Sequence, residues 1–298
     1  MHRFGLIKKI IHFFIFTHLF LAACVTSLVV ETYIILFGSV IDLRYPFFLF
    51  CSTLVLYSFH RVYRFNLDAA DEELAERHKW IKRNKFLYFS ISIAALCGVI
   101  YSVLFLVSIK IIVYLLPIGL ICFAYTVPCI PSLRGWLRLR DIGGIKIILI
   151  CLVLGLTTVL LPIIAYGKFS EALHPAVIFI FIRRMLFIFA ITIPFDIRDV
   201  EFDRSIGTRT IPVMFGIANA KSMALSALLL FVVSAAVQYF FYQPAPFPYA
   251  FSISVSVLIS AFMIIQTNEK RGDIFYSFGM EGMMLLQCLG VMIVHKFV

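Results

Sequence analysis

The chain has 298 residues, 62% of them hydrophobic and 14% charged, with a formal net charge of +10. An ordinary soluble domain is about 45–50% apolar and about 25% charged, so a soluble globular protein is excluded. The basic balance alone would suit either nucleic acid or an anionic membrane surface, and the positions of the charges decide for the membrane.

A bilayer span takes about 20 apolar residues. In chain order the runs predict nine, at 13–38, 46–65, 86–109, 111–131, 147–166, 172–195, 222–242, 245–266 and 274–294. The expected fold class is therefore all-α, a polytopic membrane helical bundle of about nine transmembrane helices, organised as one domain over 1–298. With the N-terminus placed in the cytosol, every Lys and Arg falls on the cytosolic side except Arg44, Lys110, Lys168, Lys296 and the intramembrane Arg183 and Arg184. That asymmetry predicts a cytosolic N-terminus and an external C-terminus, in a bacterial inner membrane, and it accounts for the +10 without nucleic acid.

Within the first run, Leu21-Ala22-Ala23-Cys24 after Lys8 and Lys9 has the form of a lipoprotein cleavage box. The apolar stretch does not stop there but continues to Gly38, which favours a membrane span. The seven cysteines all fall in or beside apolar segments with no Cys-x-x-Cys spacing, so they read as small apolar residues rather than disulfide or zinc ligands.

The loop after span two carries DEELAERHKWIKRNK (71–85), acids first and bases later, which suits the dipole of a solvated helix. The loop after span six is sharper: Asp196-Ile197-Arg198-Asp199-Val200-Glu201-Phe202-Asp203-Arg204, then Ser205-Ile206-Gly207-Thr208-Arg209-Thr210-Ile211-Pro212. On a continuous helix Asp196, Asp199 and Asp203 sit at about 0°, 300° and 340°, on one face, whereas Glu201 points elsewhere. Three stacked carboxylates repel unless cations are present. Hard oxygen ligands suit Mg²⁺, which completes its shell with water and phosphate oxygens, so a diphosphate is the natural missing partner.

The string DIRDVEFDRSIGTRTIPVMFG resembles the second aspartate-rich motif of the UbiA superfamily of intramembrane prenyltransferases, D-x-x-D-x-x-x-D followed by G-x-[KR]-T-[LI]-P. Tyr125-Thr126-Val127-Pro128 at the end of span four is similar to that family's Y-[ST]-x-P, and Gly155-Leu156-Thr157-Thr158 in span five is a weaker echo. The resemblance implies a UbiA-like bundle that moves an isoprenyl group from its diphosphate to a lipophilic acceptor, whether aromatic, quinone precursor, porphyrin or lipid-like. It implies Mg²⁺ as cofactor, Asp196, Asp199 and Asp203 as catalytic metal ligands, Arg209 as a charge partner of the diphosphate, and Tyr125 at the substrate.

The family's first motif, N-[DQ]-x-x-D-x-x-x-D at the end of span two, is missing. One register puts Ser58, Phe59, Val62 and Asn66 at its four positions. Another uses Asn66, Asp68 and Asp71, with one extra residue between the first two. In place of acids, span two ends in His60, Arg61 and Arg64, which would hold a diphosphate directly as charged donors or simply snorkel at the membrane face. A bundle that binds a phosphorylated lipid without turnover, or a transporter using Arg183 and Arg184, are the competing readings. Arg183 and Arg184 lie near the bilayer midplane, where Glu31 and Glu281 are the acids available to pair with them.

Overall fold

The computed structural model describes residues 2–38, 42–67, 76–132, 135–241 and 247–297. Its chain order begins α1 (His2–Phe16), α2 (Leu19–Phe37), α3 (Arg44–Leu67), α4 (Glu76–Arg83), α5 (Lys85–Tyr101) and α6 (Ile109–Thr126). A short antiparallel hairpin, β1 (Ile130–Ser132) with β2 (Gly135–Leu137), leads into α7 (Ile145–Gly155) and α8 (Leu161–Ala165). Then come α9 (Pro175–Arg198), α10 (Val200–Ser205), α11 (Ile211–Phe215), α12 (Ile217–Phe241), α13 (Phe247–Ile265) and α14 (Glu281–His295). Eight of the described helical segments are long and apolar enough to cross a bilayer, so the protein is a multi-pass integral membrane protein.

One predicted span needs correction, and a second falls outside the eight. The run at 13–38 is broken at His18, which adopts left-handed φ +61° after Thr17 turns its hydroxyl back to the Phe13 carbonyl. The spanning helix is α2 alone. The separate α1 lays Phe13 and Phe16 against Trp80 of α4, at ring distances of 6.4 and 5.8 Å. The run at 46–65 forms α3, which has 24 residues but is not among the eight, because its last turns carry His60, Arg61 and Arg64.

The core is built around α2 and α9, whose faces are the most completely enclosed, while α5 and α6 leave Phe, Leu and Ile side chains on the periphery. In lipid such surface costs little, and every backbone polar group must find a partner inside the protein. The span from α7 to α8 shows this. It passes through a π-helical segment, Leu156–Leu160, and there the Thr157 carbonyl accepts from Tyr45 Oη and the Thr158 carbonyl from Thr32 Oγ1, both at 2.8 Å. The Gly155-Leu156-Thr157-Thr158 string thus serves as an interhelical joint. Two further π-helical segments, Ser102–Leu106 and Phe275–Met280, close the α5 span and open the last one. Of the seven free cysteines, Cys97 and Cys129 are exposed rather than buried.

Of the two deep arginines, Arg184 is held by α2 and Arg183 by Gln238 of α12. Arg184 Nη1 donates to Glu31 Oε2 at 3.0 Å, and its Nη2 donates to the Leu28 carbonyl at 3.1 Å and Thr32 Oγ1 at 3.3 Å. Glu281, the other acid considered for this pairing, begins α14, and its charge acts instead on Tyr57 and Arg198.

Candidate active site

At one end of the bundle the last turns of α9, the first turn of α7 and the segments 140–144 and 208–211 meet around a small cavity. Arg140, Gly144, Lys146, Asp196, Thr208 and Arg209 line it.

The aspartate string does not run as one helix. α9 ends at Arg198, Asp199 leaves helical geometry at φ −92°, ψ +10°, and α10 resumes at Val200. The backbone bonds Asp199 N to Phe195 O (3.1 Å) and Asp203 N to Asp199 O (2.8 Å) persist, so the seven-residue spacing still turns Asp196 and Asp203 inward, 1% and 7% exposed. Asp199 is half-buried and faces away to Arg198, whose Nε and Nη2 donate to its two oxygens at 2.7 and 3.0 Å. Arg198 also reaches Asp273 at 3.4 Å and lies over the rings of Phe195 and Tyr276.

Asp196 Oδ1 accepts from Lys146 Nζ at 2.5 Å. Burial pushes the Asp203 carboxyl above the usual carboxylate range; Lys146 opposes that shift, and the charges of Asp196 and Asp199 add to it. Asp203 Oδ2 is buried without a hydrogen-bond partner among the described residues. Beyond α10, Gly207 at φ +74° closes the helix, a left-handed position that favours glycine, and Thr208 N returns to the Asp203 carbonyl at 2.8 Å. This turn brings Arg209 back to the cavity wall.

The opposite wall is basic. Arg140 Nη1 and His60 Nε2 stand 2.7 Å apart, His60 Nδ1 lies 3.3 Å from Thr126 Oγ1, and the Arg140 guanidinium lies over the Tyr125 ring at 5.6 Å. Arg138 clamps Asp141 at 2.9 Å. Burial alone would raise that carboxyl, but the hydrogen bonds from Arg138 hold it below the ordinary range. Of the four first-register positions, Ser58 turns to Ser92 of α5 at 3.1 Å and Phe59 is exposed. Arg61 acts on Tyr88 of α5. The Arg64 side chain and the whole of Asp68 and Asp71 lie outside the described residues. Among the described residues no group of three or more His, Cys, Asp and Glu side chains stands close enough to hold a metal ion.

Lys146 and Arg140 are the site residues that sequence reasoning passed over as orientation charges. A signal for Lys146 was present: it sits in the first turn of α7, where a cation opposes the helix dipole and so needs an acid from elsewhere. Gly143 allows the approach of the two walls. A Cβ there would fall 2.9 Å from Arg209 Cβ and 3.2 Å from its carbonyl oxygen, the same oxygen that accepts from Gly144 N at 3.2 Å. Gly143→Ala is expected to displace the Arg209 segment and raise KM for any anionic ligand of this cavity by about tenfold, with little change in melting temperature, as ligand titration and thermal melting would show.

Among curated protein sequences nothing matches the chain. Solved structures similar in fold include a digeranylgeranylglyceryl phosphate synthase in membranes (16% identity, TM-score 0.59, covering 98% of this chain and 100% of that one). A UbiA homologue from Aeropyrum pernix K1 is also similar (14%, 0.57, 97% and 99%). So is one from Archaeoglobus fulgidus (16%, 0.52, 96% and 99%). At such identities the likeness shows the fold alone. The model of the UbiA prenyltransferase family matches residues 79–283, spanning the hairpin, Lys146 and the whole aspartate string, and the chain belongs to that family.

Proposed function

We propose that the protein is a Mg²⁺-dependent membrane prenyltransferase that takes an isoprenyl diphosphate in the cavity between Asp196 and Arg140 and transfers its isoprenyl group to a lipophilic acceptor. The mouth would then face the cytosol, the side on which the Lys and Arg concentrate. The observation that carries the reading is the gathering of Asp196, Lys146, Arg140 and Arg209 around one small cavity, with the buried Asp203 within electrostatic reach of Lys146 and Asp196. Such a cavity suits an anion accompanied by a hard cation better than either alone.

The donor set fits Mg²⁺. Asp203 Oδ2 is a hard, buried oxygen without a partner, and Mg²⁺ ordinarily takes only one or two protein carboxylates, so no three-carboxylate cage is required. Asp203 and Asp196 would hold it, and when bound it would neutralise phosphate oxygens. Asp199 keeps Arg198 in place at the rim. Lys146 and Arg209 are positioned to donate to the diphosphate, and Arg140, braced by His60 and the Tyr125 face, takes the wall where the family's first motif would place acids. As the allylic C–O bond breaks, both electrons leave on the diphosphate. The donors then stabilise a charge that grows in the transition state, and the carbocation-like carbon is attacked by the acceptor, which loses a proton.

Membranes carrying the protein, incubated with a panel of isoprenyl diphosphates and acceptors, are expected to release diphosphate in an EDTA-sensitive reaction. Lys146→Gln should raise KM by about tenfold or more, the loss expected for a charged hydrogen bond. Binding of the diphosphates without turnover by any acceptor would overturn the enzyme reading and leave a binder of phosphorylated lipid.

A further inference from the structure

A second polar cavity lies deep in the bundle, with room for about one water-sized particle. Arg184 and Arg183 stand 12 and 13 residues before Asp196 on α9, which is about 18–20 Å away at about 1.5 Å per residue. Glu31, Arg183, Arg184 and Gln287 line the cavity together with apolar side chains, Phe187 and Phe231 among them. All four polar side chains are at least nine-tenths buried.

Their charges do not balance, and their donors are not used up. Glu31 is bonded to Arg184, whereas among the described residues Arg183 makes no ion pair and one hydrogen bond, from Nη1 to the neutral Gln238 Oε1 at 2.5 Å. A guanidinium carries several N–H donors, so most of those on Arg183 go unmatched. Arg184 Nε and Gln287 Oε1 are buried without partners among the described residues. Two guanidinium groups against one carboxylate leave a net +1 inside the bundle, where an uncompensated charge is costly.

Size and charge together select the occupant. Water fits and would satisfy the stranded atoms, but it leaves the charge. A phosphate, a sulfate or a carboxylate with a body attached is too large for the space. A chloride ion is spherical, close to water in size, and carries the single negative charge that balances the cavity. It accepts from several directions at once: from Arg184 Nε, from the spare donors of Arg183 and, once the amide turns over, from the Gln287 NH₂ group. The apolar walls keep other water out, which strengthens the attraction between the ion and the guanidinium groups.

We propose that this cavity is a chloride-binding site, separate from the mouth, whose ion neutralises the surplus guanidinium charge and stabilises the bundle. The proposal does not rest on the prenyltransferase reading. The test uses the full-length protein in detergent, prepared in sodium gluconate, a monovalent anion too large for the cavity. Gluconate is then exchanged stepwise for chloride or bromide at constant ionic strength, followed by thermal melting and calorimetry. Either halide should raise the melting temperature by several degrees and saturate as one site, since an ion that binds only the native state stabilises it. Arg183→Gln removes the surplus charge and should lose the halide shift. Gln287→Leu keeps every charge and should weaken chloride about tenfold, so it carries the test should Arg183→Gln fail to fold. No saturable halide shift in the wild type, which would mean water alone in the cavity, or a halide affinity unchanged in Gln287→Leu, would overturn the proposal.

Discussion

Asp203→Asn is expected to abolish Mg²⁺-dependent diphosphate release, by about 10²–10³ in kcat, the range seen when one preorganised charge stabiliser is removed. The same change should make the metal-free protein more stable at neutral pH. The physical reason is that Asp203 is held in a poor place for a carboxylate: buried, with Oδ2 unpartnered and Asp196 nearby. Its folded pKa is raised above the ordinary 3.8. The folded state therefore holds the proton more tightly than the unfolded state, and stability contributed by this group is lost as pH rises through the folded value. The melting-temperature gain of the asparagine variant should be full above that pH and shrink as pH falls toward 3.8. Mg²⁺ with an isoprenyl diphosphate should raise the melting temperature of the wild type and not of the variant, since a ligand that binds only the native state stabilises it. A stabilised variant with wild-type turnover would remove Asp203 from the metal site. Asp199→Asn, by contrast, changes a half-buried group already neutralised by Arg198, and about a tenfold loss is expected.

Glu31→Gln is expected to have the largest effect on stability. Glu31 and Arg184 are 3% and 4% exposed and joined at 3.0 Å, with Arg183 alongside. Removing one partner of a buried pair typically costs about 3–5 kcal/mol, because the remaining charge is left uncompensated. Here it would leave two guanidinium groups with no acid in their cavity. Replacing both partners together, Glu31→Met with Arg184→Met, should recover most of the loss, since apolar side chains of similar volume need no partners. Thermal melting of the two variants in detergent checks this, and a double variant no better than Glu31→Gln would mean that the pair contributes geometry as well as charge balance. Glu281 variants should not reproduce the pattern, because Arg184 takes its ion pair from Glu31.

Long apolar runs made the bundle legible without coordinates, because a helix that meets lipid must be apolar nearly all round and long enough to cross. Seven of the nine predicted spans match spanning helices within a few residues, and the family follows from the spacing of Asp196, Asp199, Asp203 and Arg209 along one local string. What local spacing could not carry is whatever depends on a neighbouring helix. The break at His18 comes with α1 packed on Trp80, and the apolar run around it looks continuous. The pairing of Asp199 with Arg198 goes with a helix that ends at Arg198 and restarts at Val200, which a uniform 100° wheel cannot show.

Lys146 and Arg140 are 50 or more residues from the aspartate string, and only the packing of α7 against α9 puts a lysine on Asp196. The same holds for the deep cavity: the sequence named both arginines and both candidate acids, and the helix contacts chose Glu31. The sequence by itself therefore determined the membrane, most of the helices, the family and the aspartates of the site. The tertiary structure decided which of those charges meet, because a buried charge is defined by its partner and the partner lies on another helix.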